Sequence, residues 1–179
     1  MLIPSGRSPS LAARNGVRQP VLAGKQADAA LIADAASGVI EGYASLFGVM
    51  DLGRDIVMPG AFRESVAAKG AGGIRMLWQH QPDEIVGIWT KIEEDRLGLH
   101  VQGRLDLDQK RAREALSLMR KGALDGLSIG YRSEAERRDR ETGLRRLERI
   151  DLWEISLVTF PLLPQARIRS VKAAPLHAG

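Results

Sequence analysis

The sequence predicts an α+β fold built on a mostly antiparallel barrel or sandwich. Short segments of alternating apolar and polar residues recur from Val39 to Val158, and two helical stripes are inserted among them. Clusters of Gly, Pro and Asp punctuate the boundaries. The chain of 179 residues is long enough for one domain, which at that size buries about two-thirds of the surface its unfolded chain exposes.

Residues 1–36 mix Ser, Pro, Gly, Gln and Ala without a sustained period, and read as a flexible tail with a short helix near 28–36. Residues 39–47 read as a strand with Ile40, Gly42, Ala44 and Leu46 on one face. Asp51 to Arg54 is a turn, 55–58 a short extended piece, and Pro59 marks a helix start. The helix over 61–69 presents Phe62 and Val66 and ends at Gly70. Residues 74–78 form a compact apolar strand and 85–91 another. In 97–107, Leu97, Leu99, Val101, Leu105 and Leu107 face inward, with His100, Gln102, Arg104 and Asp106 outward. Asp106 or Asp108 can cap the helix over 109–121, whose apolar stripe is Ala112, Ala115, Leu116 and Met119. Asp125 and Gly126 turn the chain into a strand over 127–132. Glu141-Thr142-Gly143 is a hairpin tip, and the returning strand runs over 144–158. Residues 164–179 read as a second tail.

Composition excludes several chemistries. Cysteine is absent and only His80, His100 and His177 remain, so thiolate nucleophiles, disulfides and histidine-rich metal centres are not expected, and no cofactor is predicted. The net charge is +4 and the sequence pI about 9.8, which would suit a nucleic-acid partner. The excess lies in the ends, however. Residues 1–36 carry +2 and 164–179 carry +3, while 37–163 hold 19 basic against 20 acidic groups, or −1. With aromatic residues at 4% there are few stacking platforms, so nucleic-acid binding is disfavoured. The seven arginines and five acids of 132–149 read as a solvated, self-compensating hairpin. No stretch approaches ~18 uninterrupted apolar residues, and Pro4 and Gly6 interrupt any signal-peptide core. A soluble cytoplasmic protein is the expectation.

Three segments place a reactive side chain where packing alone would not. His80 follows an apolar strand in phase with Met76 and Trp78, as either a satisfied interior histidine or a base. Ser128 lies between Gly126 and Gly130, opposite in phase to Leu127, Ile129 and Tyr131. Either the glycines relieve crowding in a twisted strand, or they leave room above a nucleophile for another backbone. Glu154 is in phase with Ile150, Leu152 and Val158, and a carboxylate on that side needs a partner such as a histidine nitrogen. Asp151 is out of phase. A serine, a histidine and an acid on separate strands meet the needs of nucleophilic acyl transfer.

Gly42-Tyr43-Ala44-Ser45-Leu46-Phe47 and Asp55-Ile56-Val57-Met58-Pro59-Gly60-Ala61-Phe62, followed by Leu77-Trp78-Gln79-His80, Gly126-Leu127-Ser128-Ile129-Gly130-Tyr131 and Trp153 to Pro161, resemble in order the segments of the HK97-type prohead proteases of tailed bacteriophages. The resemblance covers about residues 38–170. It implies a serine endopeptidase with a small antiparallel barrel flanked by helices, similar to the herpesvirus maturation proteases. Such enzymes act in the bacterial host cytoplasm, inside the assembling prohead. There they cut the scaffold or the scaffold-like arm of the capsid protein, and themselves. Carried over, Ser128 is the nucleophile and His80 the general base. The third member is Glu154, with Asp151 as runner-up. Arg167 is a candidate oxyanion donor beside a plain surface role. Gln81 and Glu84 depart from the Asp and Pro of many relatives, which bears on substrate preference. The expected partners are the major capsid protein with its scaffold-like segment or separate scaffold, and the protein itself. Homo-oligomer formation is left open, and no membrane is involved. From another class, an inactive assembly or scaffolding protein of the same fold is the alternative.

Overall fold

A computed structural model of the chain describes residues 38–172. The expected tail over 1–36, with its helix, lies outside the described residues. The elements are β1 (Val39–Leu46), β2 (Asp55–Val57), α1 (Arg63–Lys69), β3 (Arg75–Trp78), β4 (Gln81–Glu94), β5 (Gly98–Leu105), α2 (Lys110–Arg120), β6 (Gly126–Arg138), β7 (Arg145–Val158) and β8 (Ile168–Lys172). The strands form one curled sheet in the order β2-β7-β3-β4-β5-β1-β8, with β6 on the other edge of β7. The pairings of β7 with β2 and β3 are parallel and the rest antiparallel, so the mostly antiparallel α+β barrel is the architecture found.

Alternation builds the core. In β5, Leu99, Val101 and Leu105 are buried, as their period of two requires. Leu97 is exposed instead, because Asp95 accepts hydrogen bonds from the Leu97 and Gly98 N–H groups and turns the chain there. Gly103 takes the inward place between Val101 and Leu105. A Cβ there would lie 2.4 Å from Met76 Cε, so the fully buried Met76 occupies that space. Phe62, Ile40, Leu147 and Ile150 complete the interior.

Helix α2 buries Ala112, Ala115, Leu116 and Met119. Its N-cap is Gln109, without a side-chain cap, and Asp106 binds the preceding turn through Asp108 N–H and Gln109 Nε2. Neither proposed aspartate is the cap: Asp108 precedes the N-cap by one residue and Asp106 by three. No described helix is long and apolar enough to cross a membrane.

The boundary expected at residue 163 is corrected. β8 pairs antiparallel with β1, from Val39↔Lys172 to Gly42↔Ile168. Just before it, Leu127 N–H donates to Ala166 O at 3.0 Å and Ile168 N–H to Asp125 O at 2.7 Å. A bridge between Gly126 and Arg167 joins β6 to this segment and draws the two edges of the sheet together. Gly42 permits the approach, since a Cβ there would sit 2.2 Å from Arg167 O. Arg167, Arg169 and Lys172 therefore belong to the folded body, whose charge becomes +2 rather than −1.

Candidate active site

Strands β3 and β4 meet in a two-residue turn, closed by the pair Trp78↔Gln81. The turn residues Gln79 and His80 both have positive φ, 51° and 60°, as the primed hairpin turns require. Gly or Asn usually fills such places, and other side chains cost about 1–2 kcal/mol each. Anchors on β7 and just beyond offset that cost. Gln79 N–H donates to Leu157 O at 2.9 Å, Gln79 Nε2 to Thr159 Oγ1 at 2.8 Å, and His80 N–H to Ser156 Oγ at 3.1 Å. His80 consequently leaves the phase of Met76 and Trp78. Its side chain is 43% exposed, which excludes a satisfied interior histidine.

Strand β7 carries a bulge. Its register with β6 steps from Tyr131↔Leu152 to Gly130↔Glu154 and leaves Trp153 unopposed. The extra residue keeps Ile150 and Leu152 on the core face with Ile155 and Leu157, and turns Glu154 and Ser156 to the opposite face. Glu154 is therefore not in phase with Ile150 and Leu152, contrary to the expectation from simple alternation. It shares its face with Ser128 and Gly130. Ser128 stands directly opposite Ser156, and such pairs lie about 4.5–5.5 Å apart.

On this face His80 Nδ1 is 2.6 Å from Glu154 Oε1. The tautomer that donates from Nδ1 leaves Nε2 as the acceptor. Ser156 Oγ donates to Glu154 Oε2 at 2.7 Å, so both carboxylate oxygens have donors. The hydrogen bond to Glu154 raises the His80 pKa above its ordinary 6.5, against an opposing effect of burial. Ser128 and Glu154 are each 9% exposed and Ser156 is fully buried. Ser128 Oγ is not hydrogen-bonded to the His80 ring among the described residues; such bonds are often long in a free enzyme and tighten with substrate.

Gly130 makes room for the acid. A Cβ at that position would fall 2.0 Å from Glu154 Oε1. Gly126 has a different neighbour, Val158 O, at 2.4 Å from its hypothetical Cβ. The open space expected beside Ser128 is thus already filled at these two points, by a carboxylate and by the adjoining strand.

Asp151 lies apart from this group. It forms an ion pair with Lys69, which holds its carboxyl below the usual range, and accepts from Trp153 Nε1 at 2.8 Å. We expect Asp151→Asn to leave any reaction at Ser128 within about twofold, measured as the initial rate of substrate cleavage. A loss as large as that of Glu154→Gln would overturn the choice of Glu154. The Arg167 guanidinium is engaged by Asp125 and, from Nε, by Pro164 O at 2.7 Å. These bonds from Nε and Nη1 clamp the β6–β8 junction.

A cleft of about 410 Å³, open mouth included, flanks Ser128 and is lined in part by Ser45, Val49, Asp51, Tyr131 and Leu163. At its wall Tyr131 OH donates to Asp55 at 3.0 Å, and Arg145 Nε donates to the same carboxylate at 2.8 Å. Burial would raise the Asp55 carboxyl, but these partners hold it low. Among the described residues no group of three or more His, Asp or Glu could hold a metal ion.

Ser156 was not singled out by the sequence. Its signal is faint: a serine two residues beyond Glu154, hence on the same face, whose neighbours emerge only from the strand register.

The model of a family described as caudovirus prohead serine protease matches residues 25–177. The chain is 34% identical over 142 residues to the prohead protease of Enterobacteria phage HK97, covering 78% of this chain and 63% of that protein. It is also 34% identical over 125 residues to a capsid polyprotein of Pseudomonas phage PAJU2, covering 64% of this chain and 19% of that one. Among solved structures, the capsid assembly protease gp21 of bacteriophage T4 superimposes with a TM-score of 0.55 at 12% identity, covering 67% of this chain and 82% of that one. The protease of KSHV, solved with a hexapeptide phosphonate inhibitor, gives 0.50 at 11% identity over 74% and 64%. The last two are likenesses of fold.

Proposed function

Because this chain belongs to the caudovirus prohead serine protease family, we propose that it is a serine endopeptidase of capsid maturation, with Ser128 as nucleophile, His80 as general base and Glu154 as the acid that orients it. His80 Nε2 takes the Ser128 proton as Oγ adds to the scissile carbonyl carbon, then gives it to the leaving amine. Water repeats the sequence on the acyl-enzyme, and Ser128 is regenerated. Glu154 holds the Nδ1–H tautomer and stabilises the imidazolium. Backbone N–H groups or the Arg167 guanidinium would serve as donors to the oxyanion.

The observation that carries this reading is the His80–Glu154 hydrogen bond of 2.6 Å, on the face of β7 where Ser156 stands opposite Ser128. A catalytically silent assembly protein would have no use for that pair. The substrates in this reading are the capsid protein with its scaffold-like segment, or a separate scaffold, and the chain itself, inside the assembling prohead of the host cytoplasm. Co-expression with the cognate capsid protein tests it: the wild type should shorten that protein. Mass spectrometry of the incubated chain tests self-cleavage, and ends that stay intact while the capsid protein is cut would exclude it.

The raised His80 pKa sets the pH dependence. The base must be neutral, so cleavage should rise with pH along an acid limb centred above the ordinary 6.5. Initial rates from about pH 5 to about pH 9 locate the limb, and a centre at or below 6.5 contradicts the Glu154 partnership. Stability runs the other way. The folded-state preference for protonated His80 is fully present below 6.5 and is lost as pH rises through the raised pKa.

A further inference from the structure

Ser156 joins the turn that bears His80 to the carboxylate that faces its ring, and we infer that it is a positioning residue holding the two in mutual register. This rests on the reading of Ser128, His80 and Glu154 given above. A serine hydroxyl offers one donor and two acceptor sites. Here the donor goes to Glu154 Oε2 at 2.7 Å and an acceptor site to His80 N–H at 3.1 Å. Neither bond serves the backbone of its own strand, as a merely space-filling buried serine would be expected to arrange.

Each bond removes a freedom the site cannot use. The terminal torsion of a glutamate is broad and roughly twofold, so a carboxylate held only through Oε1 could turn away from the imidazole. Securing Oε2 fixes its plane. At the turn, His80 has φ of 60°, and its N–H has no ladder partner at the tip. Accepting that N–H fixes the peptide from which the ring projects. The register explains why one residue can do both. Ser156 is the parallel partner of Leu77, just before the turn, and the antiparallel partner of Ser128. Glu154 is the charged group that bears on the His80 ring. β6 brings uncharged Ser128 and Gly130 opposite Ser156 and Glu154. Its next residue on this face, Arg132, is paired with Asp151, and β3 sets Arg75 beside Glu154 in register.

The turn does not depend on Ser156 alone. Gln79 is tied to Leu157 and Thr159 independently, so Ser156→Ala should fold with the hairpin in place. The experiment uses the full chain as wild type, Ser156→Ala and Ser156→Thr, the last retaining a hydroxyl. The readouts are the His80 titration followed by NMR of the ¹⁵N-labelled imidazole, and the pH profile of cleavage. In Ser156→Ala the His80 midpoint should fall toward 6.5, and kcat should drop about tenfold to a hundredfold with KM little changed. Ser156→Thr should restore the midpoint.

A midpoint in Ser156→Ala equal to the wild type's overturns the inference even where proteolysis is intact. A Ser156→Thr midpoint that falls as far as that of alanine overturns it too. A wild type without peptidase activity removes the catalytic reading instead, while the His80 titration still decides the role of Ser156.

Discussion

Ser128→Ala is expected to abolish processing of the co-expressed capsid protein, a fall on the order of 10⁴-fold or more, while the protein stays folded. The hydroxyl forms no bond with the His80 ring in the free structure, so its loss leaves no orphaned partner there and should cost well under about 1 kcal/mol of stability. His80→Ala should be nearly as severe. The double variant should be no worse than either alone, since nucleophile and base act as a unit. Thermal unfolding separates lost chemistry from lost fold, and product appearance by gel or mass spectrometry measures the rate. Continued processing by folded Ser128→Ala would falsify the assignment of the nucleophile.

Gly130→Ala is the second severe change, and it acts on a residue with no chemistry of its own. The new Cβ would lie 2.0 Å from Glu154 Oε1, 2.7 Å from Cδ and 2.9 Å from Cγ. No real Cβ tolerates such contacts, so the carboxylate must leave its place beside His80 Nδ1. A misplacement of this size costs about 10²-fold in rate, and the acid limb should drift down toward that of an unassisted histidine. The double variant Gly130→Ala, Glu154→Asp withdraws the acid by one methylene and should recover part of the loss. A Gly130→Ala enzyme with wild-type rate and pH profile would show that the acid does not orient the base.

Much of the fold could be read along the chain, and the exceptions share a cause. The alternation of Leu99, Val101 and Leu105 predicted a strand because burial on one face leaves a local imprint. β8 left none. Its sequence, Ile168-Arg169-Ser170-Val171-Lys172, is short and basic, and its structure comes from pairing with β1, more than a hundred residues away. The charged half of the β6–β7 hairpin was likewise read too short. Its pairing continues to Arg138↔Arg145, with ion pairs such as Arg137–Glu148 and Arg149–Glu134 along it.

In the site, Ser128, His80 and Glu154 were legible as residue types in ordered motifs, but the reasons for their placement were not. The bulge at Trp153 cannot be seen in a period of two, so the side on which Glu154 lies was inferred from a false phase. A turn of Gln79-His80 lacks the Gly or Asn that announces positive φ, so His80 was read as the end of a strand. Both misreadings concern backbone departures that tertiary contacts sustain.

Closure of the sheet by β8 has a further consequence, for the order of events during synthesis. The lead-in to the strand that bears Ser128 is held by Ala166 and Ile168, and those residues are positioned by strand pairing with 39–42. The earliest and latest strands of the described domain must therefore find one another before Ser128 is braced. Such long-range pairing is slow compared with local turns and helices. A chain still being translated, with residues 164–172 unmade, has its histidine hairpin and its serine strand but not the brace between the first and last strands. In the proposed reading, cleavage of any substrate, a neighbouring copy included, is deferred until the domain is complete.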